Sequence, residues 1–306
     1  MEGMALTSVV ATAAVESTRD INAEVHGSSL WRDAWRRLLR NRSAVAGGVL
    51  VLVLAAIAVA APYVAPYDPL APSLEDRLSP PSALHWLGTD DLGRDILSRI
   101  IYGARASLQV GILAVALALA AGAVLGIVAG YYGGLLDNLI MRVMDVMLAF
   151  PGVLLAIAVV AIMGPSLSNA MIAIGVVSIP VYARIVRSST LQVKASEYLE
   201  AARALGASDL RIIFRHVLPN CMAPLIVQAT LGIATAILDA AGLSFLGLGA
   251  QPPTPEWGAM LSGGRAFLRI APWVTAFPGI AIVLLVMGFN MFGDGLRDAL
   301  DPRLKR

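Results

Sequence analysis

From Val146 to Ala183 the chain carries no Asp, Glu, Lys or Arg, and Ala106 to Leu136 is equally uncharged. Few folds accept such runs. A helix that crosses a bilayer needs about 20 consecutive apolar residues, whereas a helix on a soluble domain alternates an apolar stripe with a charged face. Composition agrees: of 306 residues, 58% are hydrophobic and only 14% charged, against about a quarter charged in an ordinary soluble domain. The expected class is an all-α, polytopic membrane protein.

The apolar blocks divide into six spans. Ser43 to Ala65 supplies the first and Ala106 to Leu136 the second. Val146 to Ala183 is too long for one crossing and is interrupted by Gly164-Pro165-Ser166-Leu167-Ser168-Asn169, a turn composition, so it supplies the third and fourth. Met222 to Gly249 and Pro272 to Gly293 supply the fifth and sixth. Pro151 and Pro180 should kink the third and fourth spans. Gly122, Gly126 and Gly130 recur at four-residue spacing, a ladder that lets a neighbouring helix approach closely.

Six spans put both termini on one side, and the positive-inside bias selects it. The segments that alternate with Arg77, Arg94, Arg99, Arg105, Arg265 and Arg269 hold 17 of the 23 Lys and Arg residues, so both ends are expected in the cytoplasm. On this topology residues 1–42 form a cytoplasmic tail, with Trp31 to Arg42 as a basic amphipathic helix at the membrane surface. Residues 43–65 form the first span and 66–105 an outer loop. Residues 106–293 form a core of five spans, and 294–306 a cytoplasmic tail.

Several chemistries are disfavoured. Cys221 is the single cysteine and cannot form an internal disulfide; His26, His85 and His216 are scattered, so no metal-ligand cluster is read. A phosphate-binding P-loop needs Gly-Lys-Ser or Gly-Lys-Thr, but Val193 precedes Lys194 and Leu304 precedes Lys305, the only lysines. A secondary transporter needs ionisable groups inside its spans, and Asp239 is the one carboxylate well inside one. Ser244 lies in a span without a histidine beside it in sequence, which disfavours a Ser/His hydrolase. Asp239 remains a candidate for the translocation path, in the outer part of the fifth span.

Two polar segments stand out. In the outer loop, Thr89 reads as a helix N-cap with Asp90 and Asp91 in the first turn; Leu92, Ile96 and Ile100 recur at four-residue spacing, and Asp95 with Arg99 makes a favourable i,i+4 pair. This describes either an amphipathic helix on the outer face or a landing surface for an external partner, with Thr89, Asp90, Arg94, Asp95 and Arg99 as contact candidates. The other segment lies between the fourth and fifth spans. Ser196 to Leu205 reads as a helix ended by Gly206, and Ser208 as the cap of a second helix, Asp209 to Val217, closed by Pro219.

Glu200-Ala201-Ala202, then Gly206, then Val217-Leu218-Pro219 resemble the EAA loop of ABC import permeases, placed at about 187–219. GTDDLGRDILSR at Gly88 to Arg99, LSFLGLGAQPPTPEWGAML at Leu243 to Leu261 and GDGLRDALDPRLK at Gly293 to Lys305 are similar to the C-type permease of dipeptide and oligopeptide importers, and PNCMAPLIVQATLG at Pro219 to Gly232 is most like the dipeptide branch. The resemblance runs from about Trp31 to the end and implies a type I importer permease in a bacterial inner membrane. Glu200, Ala201, Ala202, Gly206 and Leu210 would then couple to an ATPase. Implied partners are a B-type permease, two ATP-binding subunits that hold ATP and Mg, an extracytoplasmic peptide-binding protein, the lipid bilayer and a peptide substrate, with no nucleic acid. This chain itself would hold no cofactor and catalyse no reaction. Glutathione, nickel or haem are the alternative cargoes.

Overall fold

A computed structural model describes residues 30–300. Residues 1–29 of the expected N-terminal tail (1–42) and residues 301–306 of the expected C-terminal tail lie outside that range. Among the described residues the structure is built of helices and the loops between them, with no β-strand and only an isolated bridge between Thr89 and Asp95. In chain order the helices are α1 (Leu30–Arg40), α2 (Arg42–Val59), α3 (Ala61–Val64), α4 (Ile96–Tyr132), α5 (Gly134–Ala149), α6 (Gly152–Met163), α7 (Leu167–Lys194), α8 (Glu197–Ala204), α9 (Asp209–Ile212), α10 (Leu218–Phe245), α11 (Trp257–Gly264) and α12 (Trp273–Leu300).

Five helical stretches are long and apolar enough to cross a membrane: α2, α4, α7, the run Asp209–Phe245, and α12. The expected third span is different. It is a pair, α5 and α6, bent by 96°. Pro151 sits at the break, and the residue before it, Phe150, is extended (φ −91°, ψ 142°), the conformation that a following proline imposes. With 12 residues, α6 is about 18 Å long, short of a hydrocarbon core of about 30 Å. The crossing count is therefore five, or six with the bent pair taken as one. Pro180 lies inside α7, which stays a single helix.

The glycine ladder acts as expected. A Cβ at Gly126 would come 2.7 Å from Val186 Cβ, and one at Gly130 would come 2.8 Å from Thr190 Cβ. Only bare backbone lets α4 seat itself along α7. On the far side of the bundle, α2 packs on α12 and α10 bridges α4 and α12. Two apolar cores result. One joins α4, α6, α7 and α10 through Val110, Val160, Tyr182 and Leu225, and the other joins α4, α10, α11 and α12 through Ile96, Ile237, Trp257 and Leu285. The basic segment expected as a helix over Trp31 to Arg42 forms α1 over Leu30–Arg40, with Asn41 capping α2; Leu38 packs with Ala44 and Ala299, while Trp35 stays exposed.

Boundaries shift at both ends of α4. The helix begins at Ile96, ten residues before the expected span, and stops at Tyr132. With 37 residues it is about 55 Å long, so it outreaches the bilayer core and carries both polar segments at its two ends.

Candidate functional site

At the C-terminal end of α7, the segment read as an EAA loop forms α8, α9 and a π-turn. Ser196 precedes α8, with Glu197 and Glu200 in the first turn and Arg203 in the last, charges that complement the helix dipole. Gly206 has φ +80°. Its N–H donates to Arg203 O at 2.9 Å and the Ala207 N–H donates to Ala202 O at 3.1 Å, the paired bonds of a Schellman ending. No atom lies within 4 Å of where a Gly206 Cβ would be, so the glycine is required by backbone conformation and not by crowding.

The second helix of the loop departs from expectation. Pro219 does not close it. Instead α9 passes through a π-turn, Ile213–Val217, directly into α10, making one continuous run from Asp209 to Phe245. Pro219 has no N–H to donate and its ring would crowd the carbonyl four residues back, at Arg215. Widening the preceding turn relieves both problems, and proline is tolerated in the first turn of a helix, where it stands in α10.

The loop has two unlike faces. Leu199, Ile212 and Val217 are fully buried and belong to the same core as the spans. Glu200, Ala201, Gly206 and Leu210 are exposed and Ala202 is half-buried. Leu205 is 89% exposed, and Leu210 and Phe214 are each 66% exposed. Sequence reading selected Leu210 but missed Leu205 and Phe214. Their signal was available: large apolar residues in a loop otherwise rich in Glu and Arg. A loop bearing three exposed large apolar residues suits a protein partner.

At the opposite end, residues 66–95 fold into a cap around the start of α4. Here the expected exposed helix is corrected. Thr89 caps nothing; its hydroxyl donates to Asp76 O and accepts from Ser79 N. Gly93, with φ +74°, prevents helix from starting before Asp95, the actual N-cap, whose carboxylate accepts from Ser98 N at 2.8 Å and Ser98 Oγ at 2.7 Å. Asp95 also meets His85 Nδ1 at 3.0 Å. It does not pair with Arg99, which instead lies 3.4 Å from Asp90 and donates to Pro69 O at 3.0 Å. Asp90 further accepts from Arg94 Nε at 2.7 Å. Thr89, Asp90, Asp95 and Arg99 are 0–5% exposed and Arg94 is half-buried. These five hold the cap together more than they face outward. Beside the cap, Glu256 caps α11 through Gly258 N and Ala259 N; burial pushes its carboxyl pKa upward, and those two N–H bonds pull it back.

Asp239 is half-buried on α10, six residues from its end at Phe245. It edges a cleft of about 10 Å³ with Gly152, Val153 and Ala156 of α6 and Ile174 and Val177 of α7. Among the described residues no side chain pairs with it.

A helical bundle with several membrane-crossing stretches and a loop that exposes large apolar residues fits a membrane protein that works with other chains. The comparisons agree. Residues 122–306 match the family model described as binding-protein-dependent transport system inner membrane component, and residues 29–81 match the N-terminal TM domain of oligopeptide transport permease C. The chain belongs to the family of binding-protein-dependent transport system inner membrane components. It is 55% identical to the dipeptide transport system permease protein DppC of Alkalihalophilus pseudofirmus, over 90% of this chain and 91% of that one. It is 54% identical to the glutathione transport system permease protein GsiD of Pectobacterium atrosepticum, over 90% and 92% of the two chains. A solved structure of the methionine ABC transporter MetNI, in an inward-facing conformation, aligns with TM-score 0.56 at 19% identity, covering 67% of this chain and 98% of that one. The fold is that of a type I ABC importer permease.

Proposed function

We propose that this chain is the C-type permease subunit of an ATP-driven importer of dipeptides or short oligopeptides. One observation carries the mechanism: in the segment from α8 to the π-turn, Leu199, Ile212 and Val217 are buried in the bundle core while Leu205, Leu210 and Phe214 are exposed. Such a surface suits a groove on a separate ATP-binding subunit. Closure of two such subunits on ATP and Mg would press on the loop, and the buried residues would pass the motion to α4, α7 and α10 as a rigid-body displacement. The second half of the translocation path would come from a B-type permease, and peptide would arrive from an extracytoplasmic binding protein. The charge distribution supports cytoplasmic termini and a cytoplasmic EAA loop.

Peptide is favoured as cargo by the relatives named for dipeptide transport. The relatives named for glutathione transport support a second reading, and glutathione is itself a short peptide derivative. The two separate in proteoliposomes that hold the complete complex and its binding protein. ATP-dependent uptake of labelled dipeptide that excess glutathione does not compete supports the first reading. Uptake of glutathione alone would replace it with the second.

A further inference from the structure

Tyr131, next to last in α4, is 4% exposed, and three separate contacts converge on it. Its hydroxyl donates to Asp209 Oδ1 at 2.6 Å. The guanidinium carbon of Arg203 lies 5.4 Å from the centre of its ring. Its carbonyl accepts from Lys194 Nζ at 2.7 Å. Arg203 is in the last turn of α8, Asp209 opens α9, and Lys194 ends α7. The first two bracket Gly206, so one side chain holds the EAA loop on both sides of its turn.

The chemistry suits transmission of force. A phenol donating to a carboxylate at this distance is a charge-assisted bond, roughly twice as strong as a neutral one. A guanidinium over the ring adds a second, differently directed attraction. Two contacts of different direction on a rigid ring resist both sliding and rotation of the loop relative to α4. Gly133 and Gly134, with φ of +69° and +59°, end α4 at Tyr132, and α5 starts from Gly134 as a separate helix. At its other end α4 is fixed to the cap by the Asp95 N-cap and by Arg99 against Asp90. The helix is thus a strut between the EAA loop and the cap.

We propose that Tyr131 is a positioning residue of the transport cycle: through Asp209 and Arg203 it transfers displacement of the EAA loop to α4. The proposal rests on the reading of that loop as the ATPase-docking element. Tyr131→Phe removes the hydroxyl and keeps the ring that fills the core and carries Arg203. In proteoliposomes holding the full complex with its binding protein, the readout is peptide imported per ATP hydrolysed. The expected result is a fall of about fivefold or more, the lower end of typical couplings between sites, with complex yield unchanged. Asp209→Asn breaks the same charge-assisted bond from the exposed side, and the double variant should lose no more than either single one. If Tyr131→Phe does not assemble, Asp209→Asn alone gives the readout. An unchanged ratio in the variant that assembles, or losses that simply add, overturns the proposal. A separate arm tests the docking reading itself: cysteine at Ala201 should form a disulfide cross-link with a cysteine placed in the groove of the ATP-binding subunit. A cross-link with an unchanged ratio sinks the Tyr131 proposal alone. No cross-link at any groove position sinks the docking reading and this proposal with it.

Discussion

The two polar segments at opposite ends of α4 use their charged residues in contrasting ways. The cap folds its charges inward: Asp90, Asp95 and Arg99 are buried, and each meets a partner from the cap or from the start of α4. The EAA loop does the reverse. It buries Leu199, Ile212 and Val217, leaves Glu200 in solvent, and exposes Leu205, Leu210 and Phe214. Chemical richness in a sequence thus does not identify the surface that meets a partner. The charged GTDDLGRD stretch is largely self-satisfied, and the less conspicuous loop is the one left incomplete.

The contrast breaks most visibly at Asp90. Asp90→Ala leaves Arg94 and Arg99 without their shared carboxylate in buried surroundings, a loss of about 3–5 kcal/mol for a broken buried pair. The expected outcome is little folded protein on size exclusion in detergent. Wild-type yield and melting temperature would mean that the cap is not held by its charges.

Leu205→Ser should have the opposite profile. Because Leu205 touches little in this chain, the permease should fold and melt normally. Co-purification of the ATP-binding subunit should fall about tenfold, the scale of losing one buried Leu at an interface. A lower melting temperature with intact co-purification would show that the exposed face is structural.

A narrower effect is expected at Asp239. Asp239→Asn keeps the shape and removes the charge. If the carboxylate attracts the ammonium of an arriving peptide, uptake of free-amino peptides should fall about tenfold, the worth of one charge-assisted hydrogen bond, with no further loss for N-acetylated peptides. Unchanged uptake would leave Asp239 an ordinary bundle residue.

The smallest effect is a control for the first. Arg184 and Asp145 meet at 2.6 Å, but both side chains are about half exposed, at 51% and 52%. Asp145→Asn should cost no more than about 1 kcal/mol, seen as a small shift in melting temperature. A collapse like that of Asp90→Ala would show that burial is not what separates the two pairs.

The features legible in the sequence were mainly local. Gly206 ends α8 because a Schellman turn needs φ above zero, and the Gly122, Gly126 and Gly130 ladder seats α7 because small residues permit close approach. The features that escaped depend on distant partners. Asp95 and Arg99 have the spacing of a helical pair, yet Asp95 turns back to Ser98 and His85 while Arg99 reaches Asp90. Thr89 has the composition of an N-cap, but Gly93 lies in its would-be helix and takes a left-handed turn. Pro219 reads as a stop, and the π-turn before it lets the chain continue. The 96° bend matched Pro151 in place though not in size, because a proline marks where a helix yields and its neighbours set the angle.

The central claim is that the EAA loop couples this chain to an ATPase carried by other subunits, and Gly206→Val tests it most directly. At φ +80° a β-branched side chain costs about 1–2 kcal/mol, with no clash to confuse the result because nothing lies within 4 Å. The bundle should still fold, while the angle between α8 and α9 changes. In proteoliposomes with the complete complex, the account predicts that peptide uptake and its dependence on ATP hydrolysis are both lost from a permease of normal melting temperature. Wild-type uptake and wild-type ATP hydrolysis by that variant would contradict it.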